Sequence, residues 1–317
     1  MGAARRMRYT ERMIRIGILR GGANAHYETS LETGAALLRA LPEGEYAIKD
    51  IFVDRDGSWH MSGVPVGSKD LAERVDLVWN TLGGDSHRIA AETLERLGVP
   101  SVSMDAHAHR HAHEKDYLNA RLSEHGIPGA QHALVAWDGR GREQAVAEAS
   151  REVWRKLAPP WIVIPVGPGA AAGRPVRAKS RDELEAALYT LYDLGLGACV
   201  EQEVFGREAH VAVADGFRGQ ACYTFLPVWK ATGRAHARAP ENTALQKLAR
   251  KAHRELGLGD YSLVRMAVSP RGAITVLGVE THPDMREGQP LEAARDAVGA
   301  SAAEFAAHCI SRATDKK

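Results

Sequence analysis

The 317-residue chain is 44% hydrophobic and 26% charged, the balance of a folded globular protein. Its 41 Lys and Arg nearly cancel 40 Asp and Glu, and a net charge of +1 gives no electrostatic case for nucleic acid or an anionic membrane, so neither is expected as a partner. No apolar run approaches the roughly 20 residues that span a bilayer, and Cys199, Cys222 and Cys309 stand apart without a C-x-x-C pair, so a reducing, cytoplasmic setting is expected and each thiol reads as core or incidental.

At roughly 100–200 residues per domain the length allows two or three domains. Residues 1–12 carry four arginines and no apolar segment, and read as a disordered extension before the first strand. The apolar run 14–19, broken by Gly21-Gly22, predicts a buried strand closed by a turn. Thr29-x-x-Glu32 has capping-box spacing, and Leu31, Leu38 and Leu41 form a helical stripe behind it. Residues 48–53 read as a strand, Asp56-Gly57 as a turn and 58–61 as a returning hairpin arm. Strands at 75–79 and 99–102 flank a helix at 86–97. Strands alternating with helices predict a parallel sheet covered on both faces, an α/β domain over 13–112.

The middle third carries helices at 115–124 and 142–157. The strand 161–164 runs into a loop, 165–173, rich in Gly, Ala and Pro. Ser180-x-x-Glu183 then caps a helix with Leu184, Leu188 and Leu191 on one face. The last third holds strands at 199–204, 209–214, 221–228, 263–269 and 273–279. A helix is expected at 241–256, a turn at Pro270-Arg271-Gly272, and a final helix capped by Ser301-x-x-Glu304. Two α+β domains are expected, 113–198 and 199–317. His107, His109, His111 and His113 alternate with other residues. On a strand their imidazoles would share one face, as in a zinc or nickel site; a polar loop is the plainer reading.

Five motifs in order resemble the D-alanine–D-alanine ligase family of ATP-grasp proteins, from residue 13 onward. The turn from Gly21 through Ser30 is similar to G-G-x-S-x-E-x-E-V-S. Lys115 through Asn119, then Gly126-Ile127-Pro128, is similar to D-K-x-x-x-K followed by G-[IL]-P. The loop from Pro165 to Gly173 is similar to the phosphate-covering K-P-x-x-x-G-S-S-x-G. Val200-Glu201 with Gly206-Arg207-Glu208 resembles V-E-E-F-I-x-G-R-E, and Val276 through Met285 resembles L-L-E-V-N-T-x-P-G-M. The resemblance implies three subdomains with ATP gripped between two of them, and ligation of D-alanine through an acyl phosphate. It implies Glu28 at the substrate amine, Glu201 at adenine, Glu208 on the ribose or phosphate side, and Gly169 and Gly173 in the phosphate loop. Two lysines and two magnesium ions would neutralise the transferring phosphoryl group.

The departures from this pattern gather where the chemistry should be. Asn119 replaces the second lysine of D-K-x-x-x-K, Ile164 replaces the lysine opening the loop, and Ala170 and Ala171 replace its serines. Aligning the magnesium ligands Asp, Glu and Asn gives Arg265, Gly278 and Glu280; if Arg265 instead matches the family's upstream arginine, Ala267 takes the Asp position and the ligand is lost either way, and the loop 80–85 lacks the His and Glu of the family's H-G-x-x-G-E-D-G. Magnesium demands oxygen ligands in near-octahedral geometry, which this set cannot supply, so no metal site is expected there. Two functions compete. One is a non-catalytic relative, a pseudoenzyme that holds a small ligand (an adenine nucleotide or a D-amino acid) and that forms a homodimer or associates with a complete ligase. The other is a divergent but active ATP-dependent carboxylate–amine ligase in cell-wall precursor synthesis. Arg265 and Glu280 are expected to face each other across adjacent antiparallel strands as an ion pair.

Overall fold

The computed structural model describes residues 13–42, 44–102, 106–137, 139, 141–167, 174–235 and 240–315. The expected extension 1–12 and the loop glycines Gly169 and Gly173 lie outside the described residues, as do the side chains of His107 and His111. Among the described residues no helix is long and apolar enough to cross a membrane.

The chain opens with β1 (Ile14–Gly21), α1 (Tyr27–Ala40), β2 (Tyr46–Val53), β3 (Trp59–Met61), β4 (Val64–Pro65), α2 (Ser68–Arg74), β5 (Leu77–Asn80), α3 (Gly84–Arg96) and β6 (Ser101–Val102). These strands form one sheet in the order β4-β3-β2-β1-β5-β6. The β2-β1-β5-β6 segment is parallel, and β3 folds back antiparallel on β2 as the Asp56-Gly57 turn implies. In β1 the side chains of Ile16 and Ile18 enter one core cluster and Leu19 the opposite one, which is why the run is apolar throughout. α1 covers the first face through Leu37, and α2 and α3 cover the second through Leu71, Ala90 and Leu94.

α1 begins two residues before Thr29, so the expected capping box is not its start. The Asn24 side chain turns the chain earlier by accepting from the His26 amide at 2.9 Å, and Glu32 instead pairs with Arg286. The other two capping boxes form: Ser180 Oγ accepts from Glu183 N at 3.2 Å and Ser301 Oγ from Glu304 N at 3.0 Å.

Next come α4 (Ala106–His113), α5 (Lys115–Glu124), β7 (His132–Val135), α6 (Arg142–Lys156), β8 (Trp161–Val166), β9 (Val176–Ala178), α7 (Arg181–Asp193) and β10 (Gly197–Gln202). The strands make an antiparallel sheet, β7-β10-β8-β9, packed by α6 and α7 through Val146, Val153, Leu184 and Leu188. A boundary between 198 and 199 passes through β10, because that strand is paired on both edges by the middle sheet.

The last third contains β11 (Arg207–Asp215), β12 (Cys222–Thr224), β13 (Val228–Trp229), β14 (Arg234–Ala235), α8 (Asn242–Glu255), β15 (Tyr261–Val268), β16 (Ile274–Glu280), α9 (Pro290–Asp296) and α10 (Ala302–Thr314). The third sheet runs β14-β13-β11-β15-β16, with β12 also on β11. α10 does not stay with its own sheet. Phe305, Cys309 and Ile310 share a core with Ile16, Leu77 and Trp79 of the first sheet, and the Trp79 indole donates to the Tyr261 hydroxyl at 3.2 Å.

Candidate ligand cleft

The turn after β1, the start of α1, the β5–α3 turn, α4 with α5, and the β15–β16 pair enclose a cleft of about 380 Å³. The turn after β1 is built by glycine. Gly21 and Gly22 have φ of +102° and +106°, and a Cβ on Gly21 would stand 2.2 Å from the Val53 carbonyl oxygen. Asn24 then donates to the Gly83 carbonyl at 2.6 Å, which seats His26 against Gly83 at the cleft wall.

From this turn it is His26 that lines the cleft, and not Glu28. Two positions further on, in α1's first turn, Glu28 points to solvent and pairs with Arg55 at 3.0 Å, the guanidinium lying 4.0 Å over the Tyr27 ring. The expected amine-binding carboxylate is thus outside the cavity. The carboxylates that do line it are Glu280 and Asp284.

Glu201 sits buried on β10 and is engaged by the chain itself. Asn119 donates to it at 2.8 Å, and the Lys115 ammonium reaches it at 3.2 Å while donating to the Leu277 carbonyl at 2.7 Å. Lys115 and Asn119 stand four residues apart on α5, one turn, so both meet one carboxylate. Cys199 lies beside this cluster, and burial next to Glu201 pushes its thiol up to about 12, consistent with a core residue. Glu208 on β11 pairs with Lys230 at 2.8 Å.

The Arg265–Glu280 pair forms as expected. β15 and β16 are adjacent and antiparallel, with Leu263 opposite Glu280 and Arg265 opposite Gly278. Arg265 Nε lies 3.6 Å from Glu280 Oε1, both side chains half-exposed at the cleft. Burial raises the Glu280 carboxyl, and Arg265 opposes the rise. Asp284 is clamped by Arg286 at 2.5 Å and by the Thr33 hydroxyl at 3.2 Å. Lys115, Arg265 and Arg286 therefore each hold a carboxylate, and the cleft wall carries balanced charge.

The histidine run is neither strand nor loop. The sequence Ala-His-Ala-His-Arg-His-Ala-His forms α4, so His109 and His113 fall one turn apart on the same face. His87 from the first turn of α3 and His282 just after β16 complete a cluster that local sequence reasoning does not reach. Ring centroids are 4.3 Å apart for His87 and His109, 4.4 Å for His87 and His282, and 4.1 Å for His109 and His113. Burial holds His109 and His282 well below the usual imidazole range.

No protein-family model matches the chain. The chain is 30% identical over 301 residues to the D-alanine–D-alanine ligase of Methylocella silvestris, covering 86% of this chain and 89% of that protein. Its structure is similar to that of the D-alanine–D-alanine ligase from Coxiella burnetii, with a TM-score of 0.81, 21% identity and 96% of each chain covered. The ligase from Bacillus anthracis complexed with ATP matches with a TM-score of 0.75 at 19% identity, over 96% of this chain and 99% of that one.

Proposed function

Because the chain belongs to the D-alanine–D-alanine ligase family and has its ATP-grasp fold, we propose that it is a family member that binds a small ligand in this cleft without carrying out ATP-driven ligation. One observation supports the reading above the others: Arg265 holds a guanidinium, and Gly278 no side chain, at two positions where the family pattern places magnesium carboxylates. A cation at roughly 4 Å from a guanidinium is repelled by about 4 kcal/mol per unit charge at an effective dielectric near 20. Glu280 alone, already paired with that guanidinium, does not make the octahedral oxygen set magnesium needs. The residues present do not fit the ion.

The lysine positions support the same reading. Asn119 is spent on Glu201, as is the Lys115 charge, and Ile164 on β8 offers no charge to a phosphate. The ligand is a small molecule, an adenine nucleotide or a D-amino acid, and the setting is cytoplasmic. The 30% identity to a ligase favours the second reading, a divergent active ligase in cell-wall precursor synthesis. ADP release by the purified chain with ATP, magnesium and D-alanine separates the two. The expected result is no D-alanine-dependent release above a heat-treated control. Turnover that disappears in Glu208→Ala would establish the active ligase instead.

A further inference from the structure

The four clustered imidazoles are tied to the backbone in a way that decides which ring nitrogen carries the proton. His87 Nδ1 faces the Leu82 carbonyl at 3.2 Å, and His109 Nε2 faces the Gly84 carbonyl at 3.2 Å. A carbonyl only accepts, so both of these nitrogens are protonated, and the lone pairs fall on His87 Nε2 and His109 Nδ1. The Thr281 hydroxyl lies 3.2 Å from His109 Nδ1, 3.0 Å from His113 Nε2 and 2.9 Å from His282 Nδ1. One hydroxyl has one proton and two lone pairs. It donates to His109 Nδ1, which cannot donate, and accepts from His113 and His282. The lone pair of His282 then falls on Nε2.

His87, His109 and His282 thus each carry one unprotonated nitrogen, from α3, α4 and the segment after β16; that of His109 accepts the Thr281 proton, and a metal ion would displace that hydrogen bond. One nitrogen from each lies within 4.8 Å of the other two. Tetrahedral zinc at about 2.0–2.1 Å from three imidazoles sets nitrogens about 3.3 Å apart, so they have to close by at most about 1.5 Å, and His87, now stacked within 22° of His109 and 8° of His282, has to turn out of the stack for the in-plane lone pairs to converge. His87 and His109 also have the outer support usual for metal-binding histidines, a carbonyl accepting from the opposite ring nitrogen.

We propose that His87, His109 and His282 bind one divalent transition-metal ion of the zinc type, with the fourth position held by water. The donor set is imidazole alone, which selects zinc, cobalt or nickel over magnesium or calcium. His282 lines the same cleft as the Arg265–Glu280 pair, but neither of those side chains belongs to the donor set, and the proposal does not depend on whether the cleft supports ligation.

The test uses the full chain, stripped with a chelator and titrated with zinc against a chromophoric competitor, with cobalt as a spectroscopic substitute. One equivalent is expected for the unmodified chain, with a rise in melting temperature. His109→Ala and His282→Gln are expected to lose it, each lowering affinity by 10-fold or more. Cys222→Ser is expected to retain it; that residue belongs to the other cluster of metal-capable groups, with Asp215 and His253. The cobalt spectrum of the unmodified chain gives a readout independent of variants that fail to fold: it should show ligand-field bands without thiolate-to-cobalt charge transfer. Unchanged stoichiometry in a folded His282→Gln, a thiolate band lost in Cys222→Ser, or no bound zinc in the unmodified chain would each overturn the assignment.

Discussion

Arg265 lies directly across the β15–β16 ladder from Gly278, and a Cβ built on that glycine would stand 3.0 Å from Arg265 Nη2. The arginine occupies space that a side chain at 278 would need, so the two positions are coupled. Arg265→Asp combined with Gly278→Glu would add two carboxylates beside Glu280 and remove the repelling charge. The double variant is expected to melt higher in magnesium, approaching about 2.7 kcal/mol of stabilisation at 100 times the dissociation constant. The unmodified chain and Gly278→Glu alone should show no such rise, because the guanidinium remains. A melting series with and without magnesium checks this, and an equal response in all three proteins would remove the argument against the ion.

Nucleotide binding should be insensitive to phosphate. The triphosphate would meet Asn119 and Ile164 in place of lysines, with no cation to offset its charge. Adenosine, ADP and ATP are therefore expected to raise the melting temperature by similar small amounts, with nothing added by magnesium. Strong stabilisation by ATP with magnesium, absent with adenosine, would point to a working phosphate site.

Glu201 is expected to matter for stability before it matters for ligand. Glu201→Ala would leave the Asn119 amide and the Lys115 ammonium without their carboxylate, at a cost of about 2–3 kcal/mol. Glu201→Gln, which keeps an acceptor, should cost less. Urea midpoints read both; a neutral Glu201→Ala would mean that the carboxylate is not the anchor of α5 on the middle sheet.

Stability should fall on mild acidification, in part through His210. This imidazole sits on β11 opposite Arg265, and burial, then Arg265, lower it to about 4. Glu208 opposes the shift and Lys230 adds to it. The unfolded chain titrates near 6.5, so between about pH 6.5 and 4 it binds a proton that the folded chain refuses. The contribution is complete above about 6.5 and lost as pH drops toward 4. Arg265→Met removes one cause of the shift and should make the decline in urea midpoint between pH 7 and pH 5 shallower. An unchanged slope would assign the acid sensitivity to other groups.

Much of the architecture is legible in the sequence because its determinants are local. The apolar run of β1, the turn Asp56-Gly57 and the boxes at Ser180 and Ser301 are each decided within a few residues. The Arg265–Glu280 pair could be read because strand alternation and a short turn determine register. The histidine cluster could not. Alternation at 107–113 suits strand and helix differently, and the helix is settled by tertiary packing. His87 and His282 then arrive from 22 positions before and 173 positions after His109. Glu28 and His26 differ by two residues, and only the early start of α1, set by the Asn24 side chain, decides which of them faces the cavity.

The docking of α10 on the first sheet also bears on how the protein is made. Phe305, Cys309 and Ile310 are synthesised more than about 200 residues after Ile16, Leu77 and Trp79, whose core they complete. Until they emerge, the part of that face which α1 leaves open stays exposed on the nascent chain, a state that invites aggregation and chaperone capture. The first sheet is thus sealed from far along the chain, and a truncation before Phe305 would leave its apolar face partly open.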